Sequence, residues 1–100
     1  MNGNLFQIYR RQFAELAPLR HRLYGRLPLR ALRRIVEPGC GTGLVLRELA
    51  PLTRAELVGI ERDSAALAEA RHAPSVSRHE GPALFEHADV SQCRLPAAGL

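Results

Sequence analysis

Three glycines at alternate positions, Gly39, Gly41 and Gly43, separate a short apolar run from a helical one. Glycine is required where the chain turns with positive φ or where a ligand lies against the backbone. A turn that opens a helix also offers unsatisfied N–H groups. With Glu37 before them and Cys40 and Thr42 between them, these glycines form the leading candidate binding loop. Glu61 ends a second apolar run, 18 residues after Gly43. A carboxylate there can accept hydrogen bonds from both hydroxyls of a ribose. Arg62 follows it, and Asp89 and Val90 follow a third short run. A dinucleotide turn reads G-x-G-x-x-G, but the place of its third glycine is held here by Leu44, so the pattern is G-x-G-x-G. A plain tight turn is the structural alternative for the loop. For Asp89 it is a loop-start or helix-cap carboxylate.

The elements that must position these residues follow from periodicity and punctuation. Leu5, Tyr9, Phe13 and Leu16 line one face of a helix expected over residues 4–16, ended or offset by Pro18. A second basic helix is expected over Leu19–Leu27, closed by Pro28. Arg34-Ile35-Val36-Glu37 reads as a strand, Leu44–Ala50 as a helix stopped by Pro51, and Leu57–Ile60 as a second, buried strand. Asp63 or Ser64 can cap an Ala-rich helix, Ala65–His72. Residues 74–82 read as a loop and Ala83–His87 as a third strand. Strands alternating with helices predict an α/β fold with a parallel sheet, β-α-β-α-β, behind a helical N-terminal segment. Residues 1–33 form that helical cap and 34–100 the sheet-bearing unit. Ligands of such sheets sit beyond the carboxyl ends of the strands, where residues 37–43, 61–62 and 89–90 fall.

The chain of 100 residues has the composition of one small globular domain, 46% hydrophobic and 24% charged. Cys40 and Cys93 make neither a disulfide framework nor a metal spacing with His21, His72, His79 or His87. They are expected to be reduced thiols in a cytoplasmic protein. No apolar run is long enough for a signal peptide or a membrane span. Residues 1–34 carry a net charge of +7 and residues 35–100 a net −3, with arginine as the sole lysine-or-arginine type. The basic front segment suits either a solvated helical face or contact with nucleic acid through Arg20, Arg22 and Arg26.

Val36-Glu37-Pro38-Gly39-Cys40-Gly41-Thr42-Gly43 resembles motif I of the class I, Rossmann-like S-adenosylmethionine-dependent methyltransferases. Val58-Gly59-Ile60-Glu61-Arg62-Asp63-Ser64 resembles the family's second motif, and His87-Ala88-Asp89-Val90 its third. The resemblance implies S-adenosylmethionine as cofactor, with the glycine loop against its methionine part and Glu37 orienting the amino acid end. It implies that Glu61 holds the ribose, that Asp89 accepts from the adenine amino group, and that the Val90 N–H meets the ring. Arg62 stands where the family often has an apolar residue against adenine, and its planar guanidinium can stack there instead. Tyr9 and Tyr24 fall in a segment that often folds over the cofactor in related enzymes, with core packing as the alternative.

The resemblance spans residues 34–95 and three strands. The family sheet has seven, and its fourth lies beside the first. The sequence is therefore expected to represent the cofactor-binding part of such an enzyme, apparently truncated and inactive alone, with a small-molecule acceptor and no identifiable catalytic residue. A non-catalytic cofactor-binding or partner-supporting module is the alternative. The first strand is expected to be an open edge that favours self-association.

Overall fold

A computed structural model of the protein describes residues 11–89 and 91. Residues 11–15 are helical, the helix is interrupted at Leu16, and it restarts as α1, Ala17–Tyr24, with Pro18 in its first turn. Proline is tolerated there because the first-turn N–H groups have no intrahelical acceptor. Pro18 thus offsets the helix rather than ending it. The second helix begins and ends earlier than the Leu19–Leu27 pattern suggests. Leu5, Tyr9 and Cys93 lie outside the described residues.

The sheet consists of β1 (Arg34–Pro38), β2 (Glu56–Glu61) and β3 (Ala83–His87), in spatial order β1-β2-β3. Both pairings are parallel, with Ile35 opposite Leu57 and Gly59 opposite Phe85. The architecture is a partial Rossmann-like α/β unit. Between the strands run α2 (Leu44–Leu49), a short 3-10 turn at Ala50–Leu52, α3 (Ser64–Arg71) and α4 (Pro74–Ser77). Pro51 does not stop the chain dead; it is accommodated in the 3-10 turn. Asp63 is the cap of α3, its Oδ1 accepting from the Ala65 and Ala66 amides at 3.0 and 3.3 Å. α4 corrects the loop expected over 74–82. Pro74 presets the helical φ, and Val76 is buried in the core, which holds this single turn in place.

Side chains alternate across a strand. Ile35, Leu57 and Phe85 therefore share one face, which packs against Leu46, Ala50, Leu67, Ala70, Ala73 and Val76 of the helical layer. On the other face Val36 and Val58 are half-buried and Leu84 is 48% exposed. Thr53 is the buried polar side chain of the core region. Its hydroxyl donates to the Leu29 carbonyl at 2.6 Å and accepts from the Ala55 amide at 3.1 Å, so both its roles are satisfied.

α1 is attached through polar contacts, since Leu19 and Leu23 are half exposed. Glu48 of α2 accepts from Arg20 Nε and Nη2 at 2.9 and 3.1 Å and from the Tyr24 hydroxyl at 2.9 Å. Arg20 also stacks over the Phe13 ring and donates to the Phe13 carbonyl. Burial, then Glu48, pushes the Tyr24 hydroxyl up to about 12, while the Arg20 hydrogen bond holds Glu48 below the usual carboxylate range. Among the described residues no helix is long and apolar enough to cross a membrane.

Candidate functional site

β1 delivers the chain to the carboxyl end of the sheet, and the turn that follows is built from left-handed residues. Gly39, Gly41 and Gly43 have φ of +64°, +56° and +78°. That region costs an L-residue about 1–2 kcal/mol. Their surroundings divide them into two kinds. A Cβ on Gly39 or Gly41 would meet nothing within 4 Å, so these two present bare backbone to open space. A Cβ on Gly43 would lie 3.0 Å from the Ala70 Cβ, so Gly43 serves the close packing of the turn on α3.

The residues between the glycines fasten the turn from beneath. The Cys40 amide donates to the Ile60 carbonyl at 3.1 Å, extending the strand pairing by one bond. Its thiol is turned into the core, where burial and then the charges of Glu37 and Glu61 push it up to about 11. Room for that sulfur comes from Gly59 of β2. A Cβ there would sit 2.8 Å from both Cys40 Sγ and a ring carbon of Phe85. Sequence reasoning did not single out Gly59. Its only signal was a glycine inside a buried strand, which marks a close approach. Thr42 is half-buried in the turn.

Glu61 ends β2 and joins the turn to the next helix. One carboxylate oxygen accepts from the Gly41 amide at 2.8 Å, and the other accepts from the Asp63 amide at 2.9 Å. Each oxygen retains further lone-pair capacity for a ligand hydroxyl. The structure therefore brings together Gly41, Glu61 and the cap of α3.

Glu37 lies on the helix-covered face of β1, two residues beyond Ile35. Its Oε1 is buried and has no hydrogen-bond partner among the described residues. Burial pushes this carboxyl up to about 7. Such a group awaits either a proton or a cation.

On the far side of the site, Asp89 is exposed just past β3. Its Oδ1 accepts from the Ser91 amide at 2.9 Å and from the Ser91 hydroxyl at 2.8 Å. These bonds, the amide's first, hold it below the usual carboxylate range, with Arg62 adding a smaller electrostatic contribution. Asp89 thus closes a local turn while remaining open to solvent. Arg62 is exposed, and its carbonyl faces His87 Nε2 at 2.9 Å, which ties β3 to the loop after β2. Val90 lies outside the described residues. Tyr24 lies against Glu48, near the end of α2 remote from the glycine turn. No group of three or more His, Cys, Asp or Glu among the described residues is arranged to hold a metal ion.

The arrangement offers a ligand close approach to the turn and carboxyl groups on two neighbouring strand ends. Backbone free of side chains at Gly39 and Gly41 lies between a buried, unpartnered carboxyl oxygen and a carboxylate at the neighbouring strand end. Compared with known proteins, the chain matches no family model, no curated sequence and no solved structure.

Proposed function

We propose that this chain binds S-adenosylmethionine at the carboxyl end of its sheet and is the cofactor-binding part of a class I methyltransferase acting on a small-molecule acceptor. The observation that carries the reading is the pairing of the open, positive-φ backbone at Gly39 and Gly41 with Glu61, whose carboxylate pins Gly41 from the adjacent strand.

The residues present fit the group. The Glu37 carboxyl at the base of the glycine turn suits a ligand ammonium acting through the loop, since a cation nearby offsets the desolvation of a buried carboxylate. The spare lone pairs of Glu61 suit a ribose diol. By the family resemblance Arg62 and Asp89, both exposed beyond β2 and β3, would meet a planar base and its exocyclic amine, together with Val90. Bound S-adenosylmethionine supplies an electrophilic methyl group on sulfonium, taken by an acceptor lone pair in line with the departing sulfur. The glycine turn contributes close approach, and Glu37 contributes negative potential toward the ligand's positive end.

Calorimetric titration with S-adenosylhomocysteine, with NAD as control, tests the reading. Binding of the first alone is expected. Glu61→Ala should weaken it by about 1.5–3 kcal/mol, the worth of hydrogen bonds to a charged group. Gly41→Val, which places a branched side chain on bare backbone, should abolish it. Equal affinity for NAD, or unchanged affinity in the Glu61 variant, would remove the cofactor assignment.

A further inference from the structure

The amino ends of the three strands carry the opposite charge to the glycine turn. A groove of about 850 Å³ is lined there by Arg30, Arg54, Arg78 and Glu80, with Leu52 and Thr53 in its wall. A second hollow of about 400 Å³ adjoins it through Arg54 and is lined by Arg33, Arg34 and Glu56 beside Pro82. Together they present five arginines against two glutamates, a net +3. Glu37, Glu61, Asp63 and Asp89 gather at the other end of the sheet.

The basic groove has a rigid floor. Gly81 presses against the Arg54 and Ala55 carbonyls so closely that a Cβ would collide with the backbone. The His79 ring spans two strand-end segments, with Nδ1 2.9 Å from the Ala50 carbonyl and Nε2 2.7 Å from the Ala55 carbonyl.

Four of the five arginines are available, while Arg34 is half-buried and paired with Glu56 at 2.5 Å. The Arg54–Glu80 pair, at 2.8 Å, has side chains 78% and 68% exposed. Exposed pairs of this kind contribute little, so Arg54 can exchange Glu80 for a phosphate. Arg30, Arg33 and Arg78 are exposed.

We propose that this groove is a second binding site, for the sugar–phosphate backbone of single-stranded RNA. Its arginines are spread over two adjoining hollows instead of converging on one point, which suits a polymer of phosphates over a single small anion. Guanidinium groups match phosphate geometry with paired donors and stack on bases. The surface is concave and Leu52 is its one large apolar side chain, whereas a membrane-binding face requires a broad apolar surface. Among the described residues no aromatic side chain lines either hollow, so binding is driven by charge and independent of sequence. The site lies at the opposite end of the strands from the glycine turn, so it tethers RNA without presenting it to that turn.

The full chain is titrated into a labelled single-stranded RNA, read by fluorescence anisotropy at several salt concentrations and without any cofactor. Failure here therefore leaves the cofactor reading untouched. Binding in the micromolar range is expected, with log K falling against log salt at a slope of about −2, the value for about three phosphate contacts on a single strand. Arg30→Gln/Arg78→Gln should weaken binding about tenfold and flatten the slope by about 1.4. Arg22→Gln/Arg26→Gln removes the same charge from the exposed front segment and should change affinity less than about twofold. Circular dichroism melts establish that each variant is folded. Absence of RNA binding at low salt, equal losses in the two double variants, or binding to phosphatidylserine vesicles in place of RNA would each overturn the proposal.

Discussion

Glu37→Gln isolates the energetic state of the candidate site. In the fold this carboxyl holds its proton up to about pH 7 because it is buried, whereas its ordinary value is 4.5. Burial is the cause of that shift, and the nearby Cys40 thiol, which is itself held up in part by the charge of Glu37, supplies no positive charge. Between the two values the folded chain binds a proton that the unfolded chain has released, so stability must fall as pH rises through this window. It is unaffected below about pH 4 and fully diminished above about pH 7. Each pH unit of the window is worth at most about 1.4 kcal/mol. Because part of the carboxyl remains near solvent, the total is discounted to about 2–3 kcal/mol. Gln keeps the shape and removes the ionisation. At pH 8 the variant should therefore melt about 8–24 °C above wild type, given about 4–8 °C per kcal/mol for a domain of this size. At pH 4 the two should melt together. Thermal unfolding followed by circular dichroism at pH 4, 6 and 8 makes the comparison. Parallel curves at all three values would refute the reasoning, because they would mean that Glu37 ionises without cost and offers no unmet demand to a ligand cation.

Three further outcomes follow from the same geometry. Gly59→Ala forces a methyl against Cys40 Sγ and Phe85 and should cost about 1–3 kcal/mol in urea denaturation, as overpacking does. Cys40 should resist alkylation by iodoacetamide in the folded chain and react on unfolding, read by mass spectrometry of the peptide containing it, since the thiol is buried and held far above neutrality. Glu48→Gln removes the charged acceptor of Arg20 and Tyr24 and should cost about 2 kcal/mol, with amide exchange quickening in α1 before the sheet.

The sheet was legible in the sequence because its signals are local. Ile35-Val36 and Leu57–Ile60 are short apolar runs bounded by turn residues, and Asp63 before an Ala-rich stretch marks a helix start. What was not legible depends on contacts between distant positions. The role of Gly59 exists only because Cys40 and Phe85 meet above it. Glu48 gathers Arg20 and Tyr24 from 28 and 24 residues away, which no helical period encodes. It also changes the meaning of the front segment, since Arg20 is committed to an ion pair and only 15% exposed, unlike Arg22 and Arg26. At the site, spacing brought out the glycines and Glu61 but not the bond from the Gly41 amide to Glu61. Nor did it bring out the use of Asp89 by Ser91, two residues on.

The bond between Gly41 and Glu61 also bears on how the molecule assembles. It closes a loop of twenty residues, and the β1–β2 register that begins at Arg34 and Glu56 closes one of 22. Parallel strands have no hairpin from which to zip, so these contacts form only after the ends of the loop have met by diffusion. The turn glycines gain their left-handed geometry from the same closure, through the Cys40 amide on Ile60. Folding of the sheet and creation of the site are thus one kinetic event. A ligand that fits the turn therefore stabilises the folded sheet as a whole.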